Sequence, residues 1–261
     1  MSDAIVKVEN LRKTFREEEV LKGITCEFSR GKTHAVIGNN GSGKSVFFKC
    51  VCGFIEPTKG HIIVGGKEIG KDIDFPESVG VIIERPGFLP NLSGYRNLQL
   101  LANIRNAITQ DQVKEAIRKV GLDPSSKKAV AKYSLGMKQR LGIALSLMHD
   151  PEFLILDEPI NGLDPAGIVE MRKLMLRLNK ENGLTIIISS HILSELANMA
   201  TCYGFIDHGQ ILQEMSAEEL EAKEKSYVKV RTSNGEKAAK YLSKELQLDA
   251  SYKADRKSTR L

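Results

Sequence analysis

Apolar and polar residues alternate from Ile5 to Val8 and again from Ile24 to Phe28. This period of two belongs to strands with one face in a core and one in water, so both segments read as strands of a partly exposed antiparallel sheet. Thr33 to Ile37 is a short strand that runs into Gly38-Asn39-Asn40-Gly41-Ser42-Gly43 and then into a helical stretch from Lys44 to about Cys52. His61 to Val64 and Val79 to Ile83 are further short strands, with a turn at Gly65-Gly66. From Leu92 to Asp150 the spacing becomes helical: Tyr95 to Asn106, Gln110 to Val120 and Leu135 to His149, broken at Thr109, at Gly121 to Ser126 and at Asp150-Pro151. Strands then return. Phe153 to Leu156 is apolar at every position, as expected when both faces are buried. A helix from Ala166 to Asn182 stops near Gly183, and Thr185 to Ser189 is a second buried strand. Ile192 to Met199 reads as helix, and Cys202 to Asp207 with Gln210 to Glu214 as a hairpin around His208-Gly209. Ser216-Ala217-Glu218-Glu219 fits a capping box opening a short helix. Tyr227 to Arg231 and a helix from Glu236 to Leu246 follow as an appendix. The pattern is an α/β domain interrupted by a helical insertion.

Composition narrows the function classes. Hydrophobic residues make up 41% and charged residues 27% of 261, ordinary values for a globular chain with a real core. Aromatics are 6% with no Trp, poor material for stacking single-stranded nucleic acid. The net charge of +5 comes partly from Lys253, Arg256, Lys257 and Arg260, which face only Asp255, so it reads as a basic tail and no nucleic-acid partner is expected. Cys26, Cys50, Cys52 and Cys202 lack zinc-finger spacing and read as buried free thiols of a reducing compartment. The N-terminus has no signal-like pattern, and no apolar run approaches the ~18 residues a membrane span needs. Any crossing of a membrane is therefore expected of another polypeptide.

Two motifs carry chemistry. Gly38 to Ser45 fits G-x-x-x-x-G-K-[ST], between a strand and a helix as a phosphate loop requires. Its glycines let successive backbone N–H groups converge on phosphate, and the helix adds its positive end. Lys44 can reach the β- and γ-phosphates, and Ser45 can place its hydroxyl on Mg²⁺. Second, the buried strand Phe153 to Leu156 ends in Asp157-Glu158. Asp157 stands where a carboxylate holds a water ligand of Mg²⁺; Glu158, one residue on, projects differently and can polarise the attacking water as general base. Two adjacent carboxylates repel unless a cation lies near, which favours this over simple helix capping.

With Tyr133-Ser134-Leu135-Gly136-Met137-Lys138-Gln139-Arg140 between these motifs, the chain resembles the nucleotide-binding domains of ABC ATPases over about residues 4–225. Asn161-Gly162-Leu163-Asp164 looks like the family's D-loop, His191 like its switch histidine, and Phe15 like the aromatic that stacks on adenine. The resemblance implies a P-loop NTPase of α/β class: a RecA-like core with an antiparallel β subdomain and a helical subdomain inserted at about 90–150. The ATPase domain would span 1–225 and a small appendix 226–261. The implied cofactors are ATP and Mg²⁺. The implied partners are an integral-membrane transporter subunit and a second copy, head to tail, with Gly38, Asn39, Asn40, Gly41, Ser42, Gly43, Lys44 and Ser45 of one gripping ATP against Ser134 and Gly136 of the other. That places the chain on the cytoplasmic face of a membrane. Taken alone, Ser134 is an ordinary N-cap, His191 a helix-start or core histidine, and Phe15 a core aromatic.

Three positions depart from the family. Leu135 and Met137 replace a Gly and a Gln of the usual signature. Glu84 stands where the family usually has Gln, in the loop after Val79 to Ile83. Its full charge can bind Mg²⁺ more strongly than an amide; the alternative is an unremarkable loop replacement. Glu84 with this signature looks like the ATPases of bacitracin-resistance and lantibiotic-immunity exporters. The alternative function is a soluble ABC ATPase acting on ribosomes or DNA; the short helical insertion, with no second cassette or long coiled coil, speaks against it. A phosphate-loop kinase would explain Lys44 and Ser45 but not the signature.

Overall fold

In a computed structural model, residues 3–84, 87–105, 108–197, 199–223 and 234–245 are described. The chain divides into two compact units, Met1–Leu220 and Glu221–Leu261. The first holds two sheets. β1 (Ala4–Phe15), β2 (Glu18–Ser29), β4 (Lys59–Val64) and β5 (Lys67–Glu68) form an antiparallel sheet in the order β2-β1-β4-β5. β3 (Thr33–Ile37), β6 (Val79–Ile82), β7 (Phe153–Leu156), β8 (Thr185–Ser190), β9 (Cys202–Asp207) and β10 (Gln210–Ser216) form the second, ordered β10-β9-β3-β8-β7-β6. All its neighbours pair in parallel except β10, which turns back on β9.

The central strands β3, β7 and β8 are buried at every position because each faces two cores. On β7, Leu154 and Leu156 point to the larger core and Phe153 and Ile155 to the smaller; on β8, Ile186 and Ile188 oppose Ile187 in the same way. The smaller core is closed by β1, β2, β4 and α1 (Lys44–Val51). The larger is closed by helices α2 (Gly94–Arg105), α3 (Gln110–Lys119), α4 (Leu135–Leu147) and α5 (Pro165–Asn182). α2 to α4 are the inserted helical block. The remaining helices are α6 (Leu193–Leu196), α7 (Ala217–Lys223) and, in the second unit, α8 (Gly235–Glu245). Asn234 Oδ1 accepts from Lys237 N at 3.0 Å at the start of α8.

Several elements differ from their sequence reading. β1 continues past Val8 to Phe15 because register shifts after Val8 break the alternation, with Asn10 at φ 47°. The helix read from Ile192 to Met199 is one turn, since Ala197 turns extended at ψ 140°. The capping box forms: Glu219 N donates to Ser216 Oγ at 3.1 Å and Ser216 N to Glu219 Oε2 at 2.8 Å. Cys26, Cys50 and Cys52 are buried free thiols, and burial pushes Cys50 up to about 11 and Cys52 up to about 12. Cys202 is only half-buried, on β9. The strand read at Tyr227 to Arg231 lies outside the described residues, as do Asn106, Leu246 and the basic tail.

Candidate functional site

The site gathers at the carboxyl ends of β3, β7 and β8, where a parallel sheet leaves a crevice for ligands. β3 passes into Gly38, and α1 begins after Gly43, whose φ of 105° only glycine adopts freely. No side chain caps that helix start, so its first amides stay open to a ligand. A Cβ at Gly38 would lie 2.3 Å from Ile206 O and 2.6 Å from Ser42 Oγ, so the loop can pack this closely only with glycine there. Ser42 Oγ is buried without a hydrogen-bond partner. A buried hydroxyl without a partner costs free energy, and an anion in the loop would satisfy it. Asn39 O accepts from Ser42 N at 3.1 Å, while Asn40 and Gly41 are exposed at the loop's outer bend.

Lys44 is 5% exposed, and its Nζ donates to Gly38 O at 2.7 Å and Asn39 O at 3.0 Å. It also lies 3.4 Å from Glu158 Oε1. The ammonium is thus desolvated and held inside its own loop, where phosphate oxygens can replace the two carbonyls.

The acidic pair closes the other side. Asp157 Oδ2 accepts from Ser45 Oγ at 2.5 Å and its Oδ1 from Ser189 Oγ at 2.6 Å. Glu158 N donates to that same Ser189 Oγ at 2.8 Å. With Glu158 at φ 48°, the chain swings its side chain away from Asp157. Glu158 Oε2 lies 3.1 Å from His191 Nδ1 and accepts from Asn161 Nδ2 at 3.1 Å. Glu158 has the Lys44 ammonium beside it while the Asp157 carboxylate is met only by the hydroxyls of Ser45 and Ser189, an arrangement a divalent cation would balance. Among the described residues no cluster of three or more His, Cys, Asp or Glu could hold a metal alone. Ser45 and Asp157 instead supply two hard oxygen donors, the set Mg²⁺ uses when phosphates and waters complete its shell.

Lys44, Ser45, Asp157, Glu158 and His191 therefore lie in one bonded network. Phe15, Glu84, Ser134 and Gly136 stand outside it among the described residues. Phe15 ends β1 at 40% exposure, with Lys13 Nζ 4.9 Å from its ring centroid. Ser134 caps α4, its Oγ accepting from Met137 N at 3.2 Å while its own hydroxyl proton stays available. Gly136 sits two residues past that cap, facing Leu163. Glu84, at φ 69° and 71% exposed, pairs with Lys49 at 2.8 Å, and that ammonium holds its carboxyl below the usual range. Lys49 is one turn beyond Ser45 on α1.

Two contributors escaped the sequence reading. Ser189 bridges both acids, and its one signal was a hydroxyl ending an apolar strand. Gly209, at the β9–β10 tip, donates to Ser42 O at 3.0 Å and accepts from Lys22 N at 2.8 Å, buttressing the phosphate loop. A Cβ there would lie 2.0 Å from Val20 O, so its glycine is required.

A family profile described as ABC transporter matches residues 21–161. The chain is 43% identical over 239 residues to the bacitracin transport ATP-binding protein BcrA of Enterococcus faecalis, covering 91% of this chain and 78% of the relative. It is 42% identical over 211 residues to the lantibiotic transport ATP-binding protein SrtF of Streptococcus pyogenes, covering 80% of this chain and 90% of that one. Among solved structures, cbiO1 of Clostridium perfringens, part of the ABC transporter complex cbiONQ, aligns with a TM-score of 0.77 at 31% identity, over 85% of this chain and 92% of that one.

Proposed function

Because this chain belongs to the ABC transporter family, as an ATP-binding subunit that hydrolyses ATP, we propose that the bonded network around Lys44, Asp157 and Glu158 is its hydrolytic centre. The open amides of α1 and the Lys44 ammonium hold the β- and γ-phosphates, Lys44 exchanging the carbonyls of Gly38 and Asn39 for phosphate oxygens. Ser45 and Asp157 would hold Mg²⁺, which would neutralise charge on the terminal phosphates. Glu158 accepts a proton from the water that attacks the γ-phosphorus as its bond to the β,γ-bridging oxygen breaks, leaving ADP and inorganic phosphate. His191 and Asn161 hold the Glu158 carboxylate at one oxygen and leave the other toward Lys44. Phe15 stacks on adenine, and Glu84 acts on the metal side once it leaves Lys49.

Two copies assemble head to tail, Ser134 and Gly136 of one reaching the γ-phosphate held by the other, with the Ser134 hydroxyl and the α4 amides facing the anion. An integral-membrane subunit carries the path and this chain works at its cytoplasmic face; no helix among the described residues is itself long and apolar enough to cross a membrane. An open apolar cavity of about 420 Å³ supports such a partner: it is lined by Phe75, Val79, Val81, Leu101, Ile104 and Leu145, with Ile104 77% exposed. The similarity to BcrA and SrtF favours export of peptide antibiotics or related drugs, as self-protection, as the cargo class.

The observation that carries this reading is the unbroken chain of contacts Ser45–Asp157–Ser189–Glu158–His191 beside a buried lysine. Glu158→Gln tests it. The variant is expected to bind ATP, lose turnover by at least about a hundredfold and elute as a dimer only with ATP. Full turnover would show that Glu158 is not the base.

A further inference from the structure

Gly204 stands inside β9 where the backbone does not call for glycine. Its φ is not positive, and it stays in register, opposite Glu214 on β10 and Val36 on β3. A Cβ there would meet only Ala35 O, at 3.9 Å, so the space above it is open. A glycine inside a strand costs stability and often marks a place where something approaches the backbone closely.

That space belongs to a cavity of about 330 Å³ between β2 and the β9–β10 hairpin. At the roughly 30 Å³ that a water occupies in the liquid, it has room for about ten non-hydrogen atoms. It starts at His34, toward the amino end of β3, whereas the phosphate loop follows the carboxyl end. Phe28, Ile211 and Met215 give it an apolar wall, and Glu27 and Glu214 give it two carboxylates. Lys7 Nζ lies 3.7 Å from Glu27 Oε1, while Glu214 has no ion-pair partner among the described residues. Burial first, and the Glu27 carboxylate second, push the Glu214 carboxyl above its ordinary value.

His34, 6% exposed, also lines the cavity. Its Nε2 lies 3.0 Å from Ser29 O, and a carbonyl only accepts, so Nε2 carries the proton. Burial lowers the His34 pKa and keeps the ring neutral, which leaves Nδ1 as an acceptor without a partner among the described residues. Two carboxylates and an imidazole acceptor beside an apolar wall suit a positively charged donor with an apolar body. Among the described residues no three His, Cys, Asp or Glu could hold a metal ion, which leaves an organic cation.

We propose that this cavity binds a small organic cation: a primary ammonium on an apolar body, seated over Gly204. The ammonium meets Glu214, Glu27 and His34 Nδ1, and the body lies on Phe28, Ile211 and Met215.

The test uses 2-phenylethylammonium as probe and 2-phenylethanol as its neutral counterpart, each titrated calorimetrically into the full chain. The ammonium is expected to bind with a Kd below about 1 mM, and the alcohol at least about tenfold more weakly. Cys202 also lines the cavity and is half-buried, whereas Cys26, Cys50 and Cys52 are at most 4% exposed. The ammonium should therefore slow alkylation of Cys202 by iodoacetamide. Glu214→Gln should weaken binding at least about tenfold and leave ATP hydrolysis and the melting temperature as they are. Gly204→Val fills the space and should abolish binding. If that variant does not fold, Glu214→Gln and the alkylation rate decide between them. No binding up to about 10 mM ammonium overturns the proposal. Equal affinity for the alcohol overturns it too, because the cavity would then be an apolar hollow. Unchanged affinity in Glu214→Gln, or unchanged alkylation of Cys202, would place the probe elsewhere and also overturn it.

Discussion

On the proposed reading Lys44 and Phe15 both meet the nucleotide, yet their surroundings have little in common. Lys44 is 5% exposed with three oxygens around its ammonium, and its neighbours Ser45, Asp157, Ser189 and Glu158 hold one another. Phe15 is 40% exposed and has Lys13 over its ring. At the phosphate end, charge is oriented before ligand arrives, which is how fixed dipoles and ions stabilise a developing charge without reorganising. At the base end a ring offers area and little direction. The contrast implies that affinity and chemistry reside with the triphosphate, and that the base adds a modest increment.

The largest expected effect follows from removing the buried ammonium. Lys44→Ala should lower hydrolysis by at least about a hundredfold, read as phosphate release at saturating ATP, because it removes the buried ammonium held inside the loop. Turnover near the unsubstituted rate would erase the contrast with Phe15. A smaller effect is expected at Glu84, whose carboxylate is solvent-exposed and whose pairing with Lys49 is worth little by itself. Glu84→Gln should shift the Mg²⁺ concentration for half-maximal hydrolysis by about two- to fivefold while the melting temperature stays put. An unchanged Mg²⁺ dependence would return Glu84 to an ordinary loop residue.

How far the sequence could be read follows the same divide. β7 matches its reading to the residue because it is apolar at every position, as a strand buried on both faces can be; β3 matches too, though Thr33 and His34 are polar, because its apolar end runs into the glycine turn at Gly38. The phosphate loop and the acids ending β7 were legible because their chemistry needs contiguous residues. Ser189 was not, since its role comes from Asp157 and Glu158 lying across neighbouring strands. Gly209 buttresses the phosphate loop from far along the chain, and a turn glycine carries no sign of what it will touch. β1 was cut short where Asn10 and the register shifts scramble the alternation, and β5 is two residues long, too short for any period to appear.

Equilibrium binding of Mg-ATP and of adenosine to the full chain tests the central claim most directly, because adenosine keeps the base and discards the phosphates. Several charge-assisted bonds separate the two ligands, so ATP is expected to bind at least about a hundredfold tighter. Equal affinities would mean that the grip lies at the base and that the network around Lys44 does not hold the nucleotide.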